Sequence, residues 1–228
     1  ITYDNRAEEI TGLNRTVEFN VDGDQAFYDV SIRAFTTILL FMVDDPPVLM
    51  VTPRLTQYIE GDGIVNLLSS TNTTDIDNTT LVSANITFFA PDGGDVELLN
   101  VTTTGTAITA TYLHSISTLL LQGEDTLQNY SNVINSLTYV NTYLNPIPLT
   151  RVFMISVFDG IKSSNQVNIS LLFIAVNDPP VLHLGKPDLL TFMKDITQNI
   201  TLVMGDVTLT DIDNTTLSSI TVTLLDNP

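Results

Sequence analysis

The residues with the most chemistry to offer are acidic and come in pairs: Asp75-Ile76-Asp77-Asn78 and, identically, Asp211-Ile212-Asp213-Asn214. Carboxylates at this spacing could share the acid and base roles of glycoside hydrolysis. They could also give oxygens to a cation, or bond nearby backbone amides as Asx turns. The first reading fails on occurrence, because a catalytic pair is needed once and a structural device recurs with each unit. A self-contained calcium loop fails too: an EF-hand wants Gly at loop position 6 and Glu at position 12, where this chain has Thr80 and Ile86. Joint ion binding with other segments and a purely structural Asx turn both stay open.

No other constellation supports catalysis. His114 and His183 stand far apart, without a second His or a Glu at metal-ligand spacing. There is no Gly-x-Ser-x-Gly elbow, phosphate-binding Gly loop or dinucleotide fingerprint. The chain has no Cys, which excludes disulfides, zinc-cysteine sites and thiol nucleophiles. An enzyme is therefore not expected. The net charge of -18, from 26 acidic against 8 basic residues, disfavours nucleic acid and anionic membranes and makes cations the natural small partners.

The acidic pairs belong to a larger self-similarity. Val43-Asp44-Asp45-Pro46-Pro47-Val48-Leu49 returns as Val176-Asn177-Asp178-Pro179-Pro180-Val181-Leu182, and Asp75 to Leu81 returns unchanged as Asp211 to Leu217. Ile1-Thr2-Tyr3-Asp4-Asn5 matches Leu137-Thr138-Tyr139-Val140-Asn141, and Arg15 aligns with Arg151. The frame divides the chain into 1–43, the end of one repeat; 44–176, a complete repeat; and 177–228, the start of another. A chain that begins at Ile1 without Met or signal peptide fits an excised or processed segment of a longer array.

The elements that carry these motifs read as strands. Hydrophobic residues make up 43% of the chain and charged residues 15%, with many β-branched and aromatic side chains. Val152 to Phe158 and Val167 to Leu171 alternate as strands with one buried face, while Asp92-Gly93-Gly94 and Asp159-Gly160 punctuate as turns. Leu127, Tyr130, Ile134 and Leu137 follow helical spacing and predict a short helix before a strand at Leu137 to Val140. The aliphatic stretch Ile38 to Val43 is far short of the roughly 20 residues a membrane helix needs and reads as a buried strand. The fold class is all-β: tandem immunoglobulin-like antiparallel sandwiches. Pro46-Pro47 and Pro179-Pro180 fix φ and constrain their predecessors, which should stiffen the joints.

The Val-Asn-Asp-Pro-Pro-Val junction, the Asp-x-Asp-Asn that follows it and the Leu-x-Tyr element before an Arg-led strand resemble the cadherin-like repeats of large extracellular proteins. That resemblance implies seven-stranded sandwiches joined end to end with calcium at the junctions. At the second junction it implies Glu60, Asn177, Asp178, Asp211 and Asp213 as ligands, with Asp62 as a helper. At the first it implies Asp44, Asp45, Asp75 and Asp77. The linker here is shorter than in that family and no Gly follows the Asp-x-Asp, so fewer ions per junction are expected.

Glycosylation sequons begin at Asn14, Asn72, Asn78, Asn85, Asn100, Asn129, Asn168, Asn199 and Asn214. They point to N-linked glycans and the eukaryotic secretory pathway, hence to an extracellular or cell-surface location. The leading functional expectation is a structural or adhesive segment of a long repeat protein, forming a stalk or fibre. Its partners would be other repeats of the same protein or other extracellular proteins, with homotypic or filament assembly among the outcomes. The alternative is a carbohydrate- or ligand-binding module, which the absence of Trp disfavours.

Overall fold

A computed structural model describes residues 14–21, 32–41, 43–184 and 207–223. The sequon at Asn199 and the segment Ile1 to Asn5 lie outside these. The first described elements are β1 (Asn14–Val21) and β2 (Ile32–Leu39). The central unit runs β3 (Val48–Pro53), β4 (Gln57–Ile59), β5 (Val65–Asn66), β6 (Leu68–Thr74), β7 (Thr80–Phe88), β8 (Glu97–Asn100), β9 (Thr109–Leu113) and β10 (Thr118–Thr126). It continues with α1 (Leu127–Asn135), β11 (Thr138–Asn141), β12 (Arg151–Phe158) and β13 (Val167–Ile174), and β14 (Val181–His183) and β15 (Thr208–Thr210) follow.

The central unit is a β-sandwich. One layer is a six-stranded sheet in the order β4-β13-β12-β7-β10-β9, antiparallel except where β4 joins β13 in parallel. The other holds the three-stranded sheet β5-β11-β8 and the pair β3-β6. Leu67 stitches that layer together, donating to the Leu137 carbonyl at 3.0 Å and accepting from the Arg54 amide at 2.8 Å. In β12 burial alternates residue by residue, with Arg151, Phe153, Ile155 and Val157 inward, as a half-buried strand requires. α1 falls where helical spacing predicts it. The Thr126 hydroxyl caps it by accepting from the Asn129 amide at 3.1 Å, and Tyr130, Val133 and Ile134 face the core. Within the β10 bulge, Gly123 is obligatory: at φ +127° its absent Cβ would stand 2.3 Å from the Ala107 carbonyl oxygen.

An aromatic cluster fills the space between the layers. Tyr139 meets Tyr58, Phe88 and Phe153 edge-on with ring centroids 5.2, 5.9 and 5.5 Å apart, the geometry that aligns positive ring edges with negative faces. Beside it lies a fully buried charge network. Arg151 donates through Nε and Nη2 to the two Glu97 carboxylate oxygens, each at 3.0 Å, and through Nη2 to Asp92 at 2.6 Å. Its Nη1 reaches the carbonyls of Ile147 at 2.6 Å and Leu149 at 2.5 Å, and its guanidinium lies 4.3 Å over the Phe173 ring. The Tyr139 hydroxyl donates to Glu97 at 2.7 Å; burial, reinforced by the neighbouring carboxylate, raises its pKa above the usual tyrosine value.

One sequence expectation is corrected. The stretch Ile38 to Val43 is not a buried strand: β2 ends at Leu39, and Leu39, Phe41 and Val43 are exposed. Among the described residues β2 pairs with β1 alone.

Replacing Arg151 with Met should destabilise the central sandwich by about 3–5 kcal/mol, because two carboxylates are left buried without a counter-charge. Urea unfolding measures this; a loss below about 1 kcal/mol, the range of an exposed ion pair, would contradict the role given to the network.

Candidate functional site

The joint before the central sandwich begins with a linker that has little freedom. Pro46 and Pro47 hold it extended, and β3 starts at once. β3 pairs with β6 so that Val48 stands opposite Thr74. That register brings the turn after β6, Asp75 to Asn78, against Asp44 and Asp45. The Asp45 amide donates to Asp77 Oδ2 at 3.0 Å, and Asn78 Nδ2 donates to Asp44 Oδ1 at 3.1 Å and Asp77 Oδ1 at 3.2 Å. Asp75 Oδ1 closes the turn, accepting from the amides of Asp77 at 3.1 Å and Asn78 at 3.0 Å. This is the Asx turn left open by the sequence.

The second joint repeats the main contacts of the first. Val181 stands opposite Thr210, the Asp178 amide donates to Asp213 Oδ2, and Asn214 Nδ2 donates to Asn177 Oδ1 at 2.8 Å. Asp211 Oδ1 accepts from the amides of Asp213 at 3.0 Å and Asn214 at 2.8 Å. Glu60, expected at this joint, is there: its Oε2 accepts from the Val176 amide at 2.8 Å, directly before Asn177. Asp62 instead closes its own turn, accepting from the Ile59 amide at 2.9 Å. Asn145, in the loop before β12, donates to the Ile212 carbonyl at 2.7 Å and so ties the central sandwich to the acidic turn of the following repeat.

The electrostatics of the acidic turn are asymmetric. Burial raises the Asp75 pKa above the usual carboxylate value, opposed by the amides it accepts from. The Asp45 amide holds that of Asp77 below it. Two participants at the first joint were not singled out from the sequence. Lys162, between β12 and β13, donates from Nζ to the Asp44 carbonyl and lies 3.9 Å from Asp44 Oδ2. Asp159 shapes that loop, accepting from the amides of Ile161 at 2.6 Å and Lys162 at 2.7 Å. Asp159-Gly160 was legible as a turn, but nothing local marks Lys162 as a partner of a residue so far back in the chain.

Calcium binding asks for six to eight oxygens at 2.3–2.6 Å. Among the described residues no three acidic or His side chains converge as a metal site does. At the first joint Asp44 Oδ2, Asp75 Oδ2 and Asp159 Oδ2 are buried without a hydrogen-bond partner. These are suitable oxygens in kind, and the nearest positive charge to Asp44 is the Lys162 ammonium.

The sequons fall into two groups. Asn78 and Asn129 use their side-chain amides within the fold, Asn129 donating to Asp125 Oδ1 at 2.7 Å. Asn14, Asn72, Asn85, Asn100 and Asn168 are exposed on strands, and Asn214 is exposed while bonded to Asn177. His114 is exposed beside Asp95, at 3.2 Å, and His183 is exposed on β14.

Fold and joints together define an all-β sandwich protein whose linkers are clasped by acidic turns. No family model matches the chain, and no curated protein matches it. Among solved structures, the cohesin module from a Clostridium perfringens family 33 glycoside hydrolase is similar at 12% identity and a TM-score of 0.34, over 57% of this chain and 98% of that module.

Replacing Asp75 with Ala removes one acceptor from two backbone amides and should cost about 1–2 kcal/mol, as loss of a capping carboxylate does. Hydrogen exchange at the Asp77 and Asn78 amides should accelerate selectively; unchanged exchange there would show that the turn does not depend on Asp75.

Proposed function

We propose that this chain is a structural segment of a long extracellular repeat protein, in which consecutive sandwiches are held at a set angle. The observation that supports it most is the recurrence of one clasp at two joints: an amide of the linker on the second Asp of the turn, and the Asn carboxamide on the first linker residue. A ligand-binding site would not need to recur with the frame. A joint that must transmit direction along an array does.

The hairpins support the same reading. β1-β2 pairs Arg15 with Ile38, and β12-β13 pairs Arg151 with Leu171. Ile38 and Leu171 each stand six residues before the first linker residue, Asp44 or Asn177. The acidic surface and the exposed sequons support a secretory, adhesive or stalk-forming role, with partners among other repeats and extracellular proteins.

Calcium belongs to this proposal as an addition to the clasp. At the first joint an ion would have to draw together the carboxylates of Asp44, Asp45, Asp75 and Asp77, which do not converge in the structure, in competition with Lys162. At the second it would draw on Glu60, Asp178, Asp211 and Asp213. The clasp itself is made of amides and carboxylates and needs no ion.

Electron microscopy of a chain with several whole repeats tests both parts. Rods of constant repeat spacing are expected with calcium and after chelation. Rods that bend only after chelation would return the joint to calcium, and chains that bend freely in both conditions would overturn the structural reading.

A further inference from the structure

The middle of the outward face of the six-stranded sheet carries no charge. In a chain of net charge -18, strands β7, β12 and β13 carry one charged residue among them, Arg151, and it points into the core. The middle of the face is formed by Asn85, Ser156, Met154, Val152, Asn168 and Leu172. Val152, Met154 and Leu172 are 40, 37 and 49% exposed, which leaves an apolar strip on an uncharged surface.

Both asparagines on this face begin sequons, Asn85-Ile86-Thr87 and Asn168-Ile169-Ser170. Asn85 pairs across β7-β12 with Ser156, and Asn168 pairs across β12-β13 with Met154. They therefore flank β12 diagonally, about 12 Å apart from strand spacing and rise. Neither amide nitrogen donates a hydrogen bond among the described residues; Asn168 only accepts, from Gln166 at 2.9 Å. Asn78 differs, since its Nδ2 donates to both Asp44 and Asp77. Attachment of a sugar takes one of the two amide hydrogens, so it would break part of the clasp at Asn78 and nothing at Asn85 or Asn168.

We propose that Asn85 and Asn168 carry N-linked glycans whose core sugars lie over Met154 and the adjoining apolar strip, so that this face is shielded by the chain's own modification. The proposal rests on the secretory reading above and adds which sites are used and what they cover. In the transfer, a bond forms between the Asn Nδ2 and the anomeric carbon of a lipid-linked oligosaccharyl pyrophosphate. The carbon–oxygen bond to the pyrophosphate breaks, and the lipid pyrophosphate leaves as one amide proton is lost. The glycan is bulky and hydrated on its outer side, while its sugar C–H faces can rest on methyl and thioether groups.

The test uses the full chain secreted from a eukaryotic cell line. Enzymatic deglycosylation in heavy-oxygen water marks each formerly glycosylated Asn as labelled Asp, and marking is expected at Asn85 and Asn168. Peroxide oxidation then reads the covering, because methionine oxidation follows exposure. Met154 should oxidise several-fold faster in Asn85→Gln/Asn168→Gln than in the glycosylated wild type. Met50, exposed on the other layer, should be unchanged. Thr87→Ala/Ser170→Ala removes the same sequons while keeping both asparagines, and should reproduce the effect. Equal Met154 rates, or glycans found elsewhere but not at these two positions, overturn this proposal alone. A secreted chain without any glycan overturns the secretory reading with it.

Discussion

Arg151 is buried without any exposed surface, and the central sandwich is organised around keeping its charge satisfied. A guanidinium in such a place carries a desolvation cost of several kcal/mol, which only close, well-directed acceptors offset. Glu97 supplies a two-oxygen fork, Asp92 a third carboxylate oxygen, and the carbonyls of Ile147 and Leu149 the remainder. These acceptors come from β8, from the turn before it and from the segment leading into β12. The network therefore spans both layers and fixes how one lies on the other. Tyr139 and Asn141 on β11 extend it, bonding Glu97 at 2.7 Å and Asp92 at 2.8 Å. Replacing a whole buried network by apolar residues is often neutral to stability, whereas removing one partner is costly.

The joints inherit that order. With β12 held by Arg151, the loop after it places Lys162 against Asp44 at one joint, and the loop before it places Asn145 against Ile212 at the other. Neither contact is local in sequence. Each joint then adds its own clasp, in which short acidic side chains act as acceptors for amides that a proline-stiffened linker cannot pair in a sheet. The acidity of the turns is explained by this need for acceptors.

Much of this was legible in the sequence because it is repeated or local. The seven-residue identity at Asp75 and Asp211 exposed the frame, and the alternation in β12 and the spacing of Leu127, Tyr130 and Ile134 announced their elements. The Asx turns were foreseen as one of two readings, since Asp-x-Asp-Asn has the same local chemistry in any setting. What escaped depends on contacts between distant segments. Asp92 and Asp159 read as turn punctuation, yet Asp92 is a buried counter-ion and Asp159 shapes the Lys162 loop. Glu97 carries no local mark of burial, because its environment is set by Arg151 54 residues later. The Ile38 to Val43 stretch went the other way: its hydrophobicity suggested burial, yet Leu39, Phe41 and Val43 are exposed, with β1 alone paired to their strand among the described residues.

If the clasp sets the angle between neighbouring sandwiches, as proposed, the distance distribution across one joint must be narrow and must depend on the acidic turn. The chain has no Cys, so spin labels on Ser70→Cys and Ser218→Cys, in a chain extended through the whole following repeat, would be the sole reporters. A single narrow distance is expected in chelator, broadening when Asp211 and Asp213 are replaced by Ala. A broad distribution before any replacement, or a narrow one that survives it, would contradict the claim.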